Sequence, residues 1–259
     1  MQRISLLQAE VDITTIEELN NFIMDAILFD RKIIIGGQNL HGIYLNRLDQ
    51  KRKQFLNTAQ VIRIDGMPLI YWGKLLGYPL EKRNRVTYLD WIWPLCQEIN
   101  QNRWRLFYLG AKPGIAEKAA SIIKSNYPNL EIQTHHGYFT SRENIQVLEK
   151  INAFKPNILM VGMGMPRQEH WVLDNLERIE ANAILTAGAC FDYIAGAIPT
   201  PPRWMGQIGL EWLYRLLSEP SRLAKRYLYE PWFLLPLAFK DLKEHFVSRK
   251  VRKKRNSLL

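Results

Sequence analysis

The residues best suited to chemistry in this chain sit where an apolar run breaks into a polar turn. Ile158-Leu159-Met160-Val161 is a short continuous apolar segment, as a strand buried on both faces of a parallel sheet requires. Gly162 and Gly164 then remove side chains where backbone could approach a ligand closely. Pro166 falls where a first helical turn would begin, so Arg167, Gln168 and Glu169 project from a helix N-terminus at the carboxyl end of a strand. Phosphates and nucleotides bind α/β sheets at such places. A tight turn alone is the competing reading of this unit. A second candidate is Asp65-Gly66, which ends the run Val61-Ile62-Arg63-Ile64. A carboxylate at a strand end, with a glycine beside it for access, can take a proton from a hydroxyl nucleophile. Its competing reading is a helix N-cap.

Absent motifs narrow the chemistry. No Gly-x-x-x-x-Gly-Lys-Ser/Thr occurs, which argues against a P-loop nucleotidase. No Asp-x-Asp occurs either, so the usual metal clamp on a sugar-nucleotide diphosphate is missing and neither a metal nor a cofactor is expected. A diphosphate would then be held by backbone N–H groups, helix N-termini and Arg or Lys. The early turn Gly36-Gly37-Gln38-Asn39-Leu40-His41-Gly42 does not fit the Gly-x-Gly-x-x-Gly of hydride-transfer enzymes.

The elements that would position these residues alternate along the chain. Strands are expected at 32–37, 61–64, 105–110, 130–134, 158–161 and 183–188. Helices are expected at 40–58, 87–100, 115–125 and 141–153, the last with Ser141 as N-cap, and again after Pro166. This pattern predicts an α/β, Rossmann-like, mostly parallel sheet flanked by helices. Gly36-Gly37-Gln38-Asn39, Asp65-Gly66, Gly110 to Gly114, Gly137-Tyr138, Gly162 to Gln168 and Gly188 would then share one edge, where a doubly wound sheet holds its ligand. His135 and His136, as neighbours on a strand, are expected on opposite faces.

The chain has 259 residues, 47% of them hydrophobic, enough for a sizeable core. Cys96 and Cys190 lie far apart and read as core residues of a reducing compartment. The N-terminus is too polar for a signal peptide, and Leu228 to Phe239, the most apolar stretch, is too short and too Pro-rich to span a bilayer. Charge is unevenly placed. From Arg203 onward thirteen Lys and Arg face five Asp and Glu, so this tail carries +8 of the net +10. Its aromatics, from Trp204 and Trp212 to Trp232 and Phe233, interleave with Leu as an amphipathic membrane face does. Two regions follow: a catalytic body over 1–202 and a basic, aromatic helical appendage over 203–259. Ser218 is expected to cap a helix starting at Pro220 that carries Arg222 and Arg226 on one face, with Arg215 close by.

In order, Asp65-Gly66, Leu109-Gly110 with Pro113-Gly114, Gly137-Tyr138-Phe139, Val161 to Glu169, and Gly209-Leu210-Glu211-Trp212-Leu213-Tyr214-Arg215-Leu216 through Glu219-Pro220 span nearly the whole chain. Together they resemble the WecG/TagA/CpsF family of bacterial glycosyltransferases, glycosyltransferase family 26. The resemblance implies inverting, metal-independent transfer of a sugar from a UDP-sugar to a polyprenyl-diphosphate-linked acceptor in cell-surface polysaccharide synthesis, on the cytoplasmic face of the membrane. It implies Asp65 as general base, with Arg85, Gln168 and Asn39 as further site residues. Donor-binding residues would be Gly110, Gly137, Tyr138, Gly162, Gly164, Gln168 and Glu169. Arg215, Arg222 and Arg226 would hold the acceptor diphosphate against an anionic membrane surface. The chain departs from the family pattern at Gly37 (for Thr), at Tyr88 (for Gly) and at Thr200-Pro201-Pro202 (for Arg-Ala-Pro). Solvent-facing positions are the competing readings of Gln168 and Arg85. A noncatalytic nucleotide-sugar or nucleic-acid-binding module using the basic tail is the alternative function, and a homo-oligomer is compatible with either.

Overall fold

Strands covered on both faces need apolar side chains of either parity, and the central strands here have them. In the computed structural model, which describes the backbone of residues 1–256 and side chains through His245, eight strands form one sheet. The chain begins with β1 (Gln2–Leu6) and β2 (Ala9–Ile13), an antiparallel hairpin, followed by helix α1 (Ile16–Leu28). Strand β3 (Ile33–Gln38) leads into α2 (Leu40–Asn46) and α3 (Gln50–Thr58). Then come β4 (Val61–Ile64), α4 (Met67–Leu75), α5 (Tyr88–Asn102), β5 (Arg105–Gly110) and α6 (Ile115–Asn126). The remaining units are β6 (Glu131–His135), α7 (Asn144–Phe154), β7 (Ile158–Gly162), α8 (Arg167–Asn175), β8 (Ala183–Thr186) and α9 (Cys190–Ile194). Strand order is β1-β2-β4-β3-β8-β7-β5-β6, and all pairings beyond the hairpin are parallel.

The side-chain period of two splits the core into two layers. Ile34, Ile62, Phe107, Leu109, Leu159 and Ile184 pack toward α3, α7 and α8 on one face. Ile33, Ile35, Val61, Leu106, Tyr108, Met160 and Leu185 pack toward α1, α5 and α6 on the other. Each buried Val, Leu or Ile contributes roughly 1.5–3 kcal/mol of transfer free energy. The expected α/β sheet flanked by helices is thus observed, with the N-terminal hairpin as an antiparallel edge the sequence pattern did not announce.

Other departures have local causes. The expected helix over 40–58 is two helices, because Asp49 turns extended and its carboxylate accepts the Arg52 N–H (2.8 Å), capping a new start. Helix α7 starts at Asn144 rather than Ser141; Glu143 instead accepts from the Thr140 N–H (2.6 Å) and hydroxyl (2.8 Å). Pro166 precedes α8 as its N-cap residue rather than sitting inside its first turn. His136 lies just past β6, so strand alternation no longer applies, and its ring centroid is 4.5 Å from that of His135.

From residue 203 the chain is helical: α10 (Arg203–Gln207), α11 (Glu211–Ser218), α12 (Pro220–Ala224), a π-turn and a 3₁₀ turn, then α13 (Leu235–Asn256). Ser218 does not cap α12. It lies in the last turn of α11, where its hydroxyl donates to the Tyr214 carbonyl (2.9 Å), and Glu219 occupies the N-cap position. This segment lies against the body through buried Leu234 and through Asp241, which accepts from the Leu7 N–H (2.5 Å) and Trp72 Nε1–H (3.0 Å). The basic run Arg249, Lys250, Arg252, Lys253, Lys254 and Arg255 has side chains outside the described residues.

Candidate active site

Asp65 is the first residue past β4. Its N–H donates to the Gln38 carbonyl (2.8 Å), which locks the β3 and β4 ends side by side. Its carboxylate meets Arg63 Nη1 at 3.6 Å on one oxygen and accepts from Asn39 Nδ2 at 3.4 Å on the other, yet keeps 30% of its surface open. Asn39 can serve only in one orientation, because its Oδ1 caps α2 by accepting the Gly42 N–H (3.0 Å). Arg63 is buried, its guanidinium 4.5 Å from the Tyr88 ring centroid and its Nη1 donating to the Val86 carbonyl (2.5 Å). Gly37 makes room for it: a Cβ there would lie 3.1 Å from the guanidinium carbon. Asp65 is therefore no helix cap but a carboxylate steadied by two donors with one direction free.

Arg85 and Gln168 are both buried rather than solvent-facing. Arg85 donates to Glu211 Oε2 (3.0 Å) on α11 and to Asp90 Oδ2 (2.9 Å) on α5, tying α11 to the segment that leads into α5. Arg203 pairs with the same Asp90. Gln168 Oε1 accepts the Gly188 N–H (3.0 Å), and its Nε2 donates to Glu169 Oε1 (3.0 Å). Glu169 itself is directed into the interior, where burial pushes its pKa up against the opposing charge of Arg52. Arg52 is fully buried and donates to Gln38 Oε1 (3.0 Å) and the Gly42 carbonyl (2.8 Å), bracing the β3 end from behind.

Two adjoining cavities meet at Asp65. The first, about 310 Å³, runs toward the C-terminal helices and is largely apolar, lined by Leu40, Met67, Pro68, Leu69, Trp212, Pro231 and Leu234. The second, about 250 Å³, lies over Gly164, Gln168, Thr186 and Gly188. Asn39, His41, Asp65, Arg215 and Arg226 line both. The Nε–H groups of Arg215 and Arg226 are buried and have no hydrogen-bond partner among the described residues. Arg222 also borders the second cavity but is engaged with Glu219 (2.6 and 2.5 Å).

The turns Gly110, Gly137-Tyr138 and Gly162 adjoin the site along the same sheet edge without lining either cavity. They crowd closely: a Cβ on Gly137 would lie 2.9 Å from Met163 Cγ and 3.2 Å from Gly110 Cα. Tyr138 is exposed beneath the Arg167 guanidinium, 5.9 Å from its ring centroid.

Sequence reasoning missed several lining residues. His41 Nδ1 lies 2.6 Å from Glu230 Oε2, a contact across 189 positions. Burial, with Arg226, Arg52 and Arg215, pushes His41 down to about 3, and burial pushes Glu230 up to about 6. Near neutrality the pair is thus a neutral imidazole donating to a carboxylate. Arg63 was findable, since it lies two residues before Asp65 on a strand and so shares its face. Tyr88, singled out in the sequence only as a departure from the family pattern, lines the second cavity, whereas Tyr193 and Glu230 carried no local signal.

A doubly wound sheet thus presents at its strand ends a partly open carboxylate between two cavities that also hold two unpaired guanidinium Nε–H donors, the place where α/β folds form their ligand crevices. The chain belongs to the Glycosyl transferase WecG/TagA/CpsF family, whose model matches residues 4–247. Among curated proteins it is similar to N-acetylglucosaminyldiphosphoundecaprenol N-acetyl-beta-D-mannosaminyltransferases of Staphylococcus aureus strain MW2 and strain NCTC 8325 / PS 47. Each is 28% identical over 172 residues, covering 66% of this chain and 66% of the relative. The match thus spans just under two thirds of those relatives' length.

Proposed function

We propose that the protein is an inverting glycosyltransferase that moves a sugar from a UDP-sugar to a polyprenyl-diphosphate-linked glycan during cell-surface polysaccharide synthesis. One observation carries the reading: Asp65 stands partly open at the junction of two cavities that it shares with half-buried Arg215 and Arg226, whose buried Nε–H groups lack acceptors among the described residues. The donor's sugar occupies the second cavity, and its diphosphate reaches along the glycine turns at Gly110 to Gly114, Gly137-Tyr138 and Gly162 to Gln168. The acceptor's diphosphate lies on Arg215 and Arg226, where charge-assisted hydrogen bonds replace water. Its lipid leaves through the apolar first cavity.

In the reaction the acceptor hydroxyl gives its proton to Asp65 as its oxygen attacks the anomeric carbon. The bond from that carbon to the phosphate oxygen breaks, its electron pair leaving with UDP. One base and one displacement invert the anomeric centre. The leaving charge is met by backbone N–H groups and Arg side chains, so a metal is not required. The acceptor class accords with the undecaprenol diphosphate in the relatives' names. Residues 203–259 act as a peripheral membrane-docking appendage.

The test is UDP release from a panel of UDP-sugars with a polyprenyl-diphosphate N-acetylglucosamine acceptor, in buffer containing excess EDTA. Turnover unaffected by the chelator is expected; a sharp drop rescued by magnesium or manganese would remove the metal-free part. Asp65→Asn keeps the shape but not the basicity, and should cost about 10²–10⁴ in kcat. Near-wild-type turnover by Asp65→Asn with normal UDP binding would overturn the assignment.

A further inference from the structure

The second cavity is lined by two tyrosines whose hydroxyls have no hydrogen-bond partner among the described residues. Tyr88 opens α5 with its ring stacked on Trp91 (centroids 5.3 Å apart, 19° between planes) and covered by the Arg63 guanidinium. These contacts leave the ring no freedom, so the hydroxyl is held in one place. The residue is only 8% exposed, and its hydroxyl is buried without a hydrogen-bond partner among the described residues. Tyr193, in α9, has a hydroxyl in the same condition. Both residues line the cavity that holds Asp65, Gln168 and Gly188.

Buried hydroxyls are satisfied in folded proteins, and an unsatisfied one is disfavoured unless something arrives to pair with it. Burial pushes both phenols above their ordinary pKa, so each remains a neutral O–H that can donate and accept. That dual character matches ring hydroxyls, which also donate and accept; a phosphate would be drawn instead to the unpaired guanidiniums nearby.

We propose that Tyr88 and Tyr193 are specificity-determining residues that hydrogen-bond ring hydroxyls of the hexopyranose carried by the donor. The proposal deepens the glycosyltransferase reading and rests on it. A site that pairs a substrate hydroxyl rejects the epimer that misplaces it, because both partners are then left unpaired.

Calorimetric titration of the full chain and of Tyr88→Phe and Tyr193→Phe decides the matter. The probes are UDP, UDP-glucose, UDP-galactose, UDP-N-acetylglucosamine and UDP-N-acetylmannosamine, and the melting temperature of each ligand-free protein is recorded. Each Phe variant should bind UDP as the wild type does and lose about two- to ten-fold in affinity for the preferred UDP-sugar. Discrimination among epimers should narrow, while the ligand-free melting temperature stays level or rises, since no native hydrogen bond is removed. Unchanged affinity and discrimination for the UDP-sugars in both variants overturns the proposal. So does an equal loss for UDP itself, or a lowered melting temperature, which assigns the hydroxyls a structural role. A wild type that binds neither UDP nor any UDP-sugar overturns the underlying function instead, an outcome distinct from the others.

Discussion

A guanidinium N–H buried without an acceptor costs free energy that an arriving anion can restore, and the Nε–H groups of Arg215 and Arg226 are two such donors on one crevice. Replacing either by Ala should lower kcat/KM for the lipid-linked acceptor by about 10- to 100-fold, the worth of a hydrogen bond to a charged group. Lys keeps the charge but not the planar fork, so it should recover only part of the loss. Steady-state kinetics with varied acceptor reads both changes. The His41–Glu230 pair makes a prediction about acid. His41, pushed down to about 3, opposes folding increasingly as pH falls below its unfolded value, because only the unfolded chain takes the proton. Glu230, pushed up to about 6, does the reverse between that value and the ordinary carboxylate range, since the folded chain takes the proton first. The two offset each other down to roughly pH 4.5, the unfolded value of Glu, and only below it does His41 act alone. Glu230→Gln removes the offset but keeps an acceptor for Nδ1–H. It resembles the protonated acid and lacks the cost of the buried carboxylate, so it should be more stable than the wild type near neutrality and match it below about pH 4.5. Urea denaturation at each pH, followed by tryptophan fluorescence, reads this convergence.

The central strands were legible because burial on both faces demands continuous apolar runs, and Ile158 to Val161 or Leu106 to Leu109 could be little else. The N-terminal hairpin was not, since its turn uses Leu7 and Gln8 at φ of 52° and 58° in place of the Asn or Gly that would announce it. The break between α2 and α3 lacks Gly or Pro for the same kind of reason: Asp49 makes it with a side-chain cap. Site residues divide likewise. Asn39, Asp65 and Gln168 follow strands directly and could be read from position, whereas His41 and Glu230 meet only through tertiary packing. Glycines at the strand ends were read as room for a ligand, and part of that room is used by the protein itself. A Cβ on Gly162 would stand 2.6 Å from the Gly188 carbonyl oxygen and overlap the Tyr108 hydroxyl, which donates to that same carbonyl (3.3 Å). Gly162→Ala should thus destabilise by about 1–3 kcal/mol through overpacking between β7 and β8. Urea denaturation measures it, and a loss of activity without that loss of stability would assign Gly162 to ligand contact alone.

Over the whole chain, charge and apolar exposure concentrate in the same C-terminal fifth. Trp204, Leu217, Trp232 and Phe239 are among the most exposed large hydrophobics, at 57%, 74%, 69% and 71%, and the tail from Arg203 carries +8 of the net +10. No helix among the described residues is long and apolar enough to cross a membrane. Exposed aromatics beside basic residues suit the interface plane of a bilayer, where each Lys or Arg near an anionic leaflet adds about 1 kcal/mol that salt weakens. Removing the appendage wholesale would be a poor test, because Leu234 and Asp241 are buried against the body and their loss would open the core. Point changes at exposed positions avoid this. The full chain should sediment with vesicles containing anionic phosphatidylglycerol at low salt and be released as salt rises, because the charge contribution is screened within about 10 Å at 0.1 M. Trp232→Ser with Phe239→Ser should weaken sedimentation severalfold while leaving the melting temperature near wild type, since surface substitutions usually change stability by less than about 0.5 kcal/mol. The same double variant should keep its turnover on a short-chain, water-soluble acceptor and lose it on the vesicle-borne one, since the two aromatics stand clear of the cavity lining. A full chain that ignores anionic vesicles at low salt, or a double variant that sediments as well as the wild type, would end the membrane-docking role and leave the exposed aromatic face to another partner.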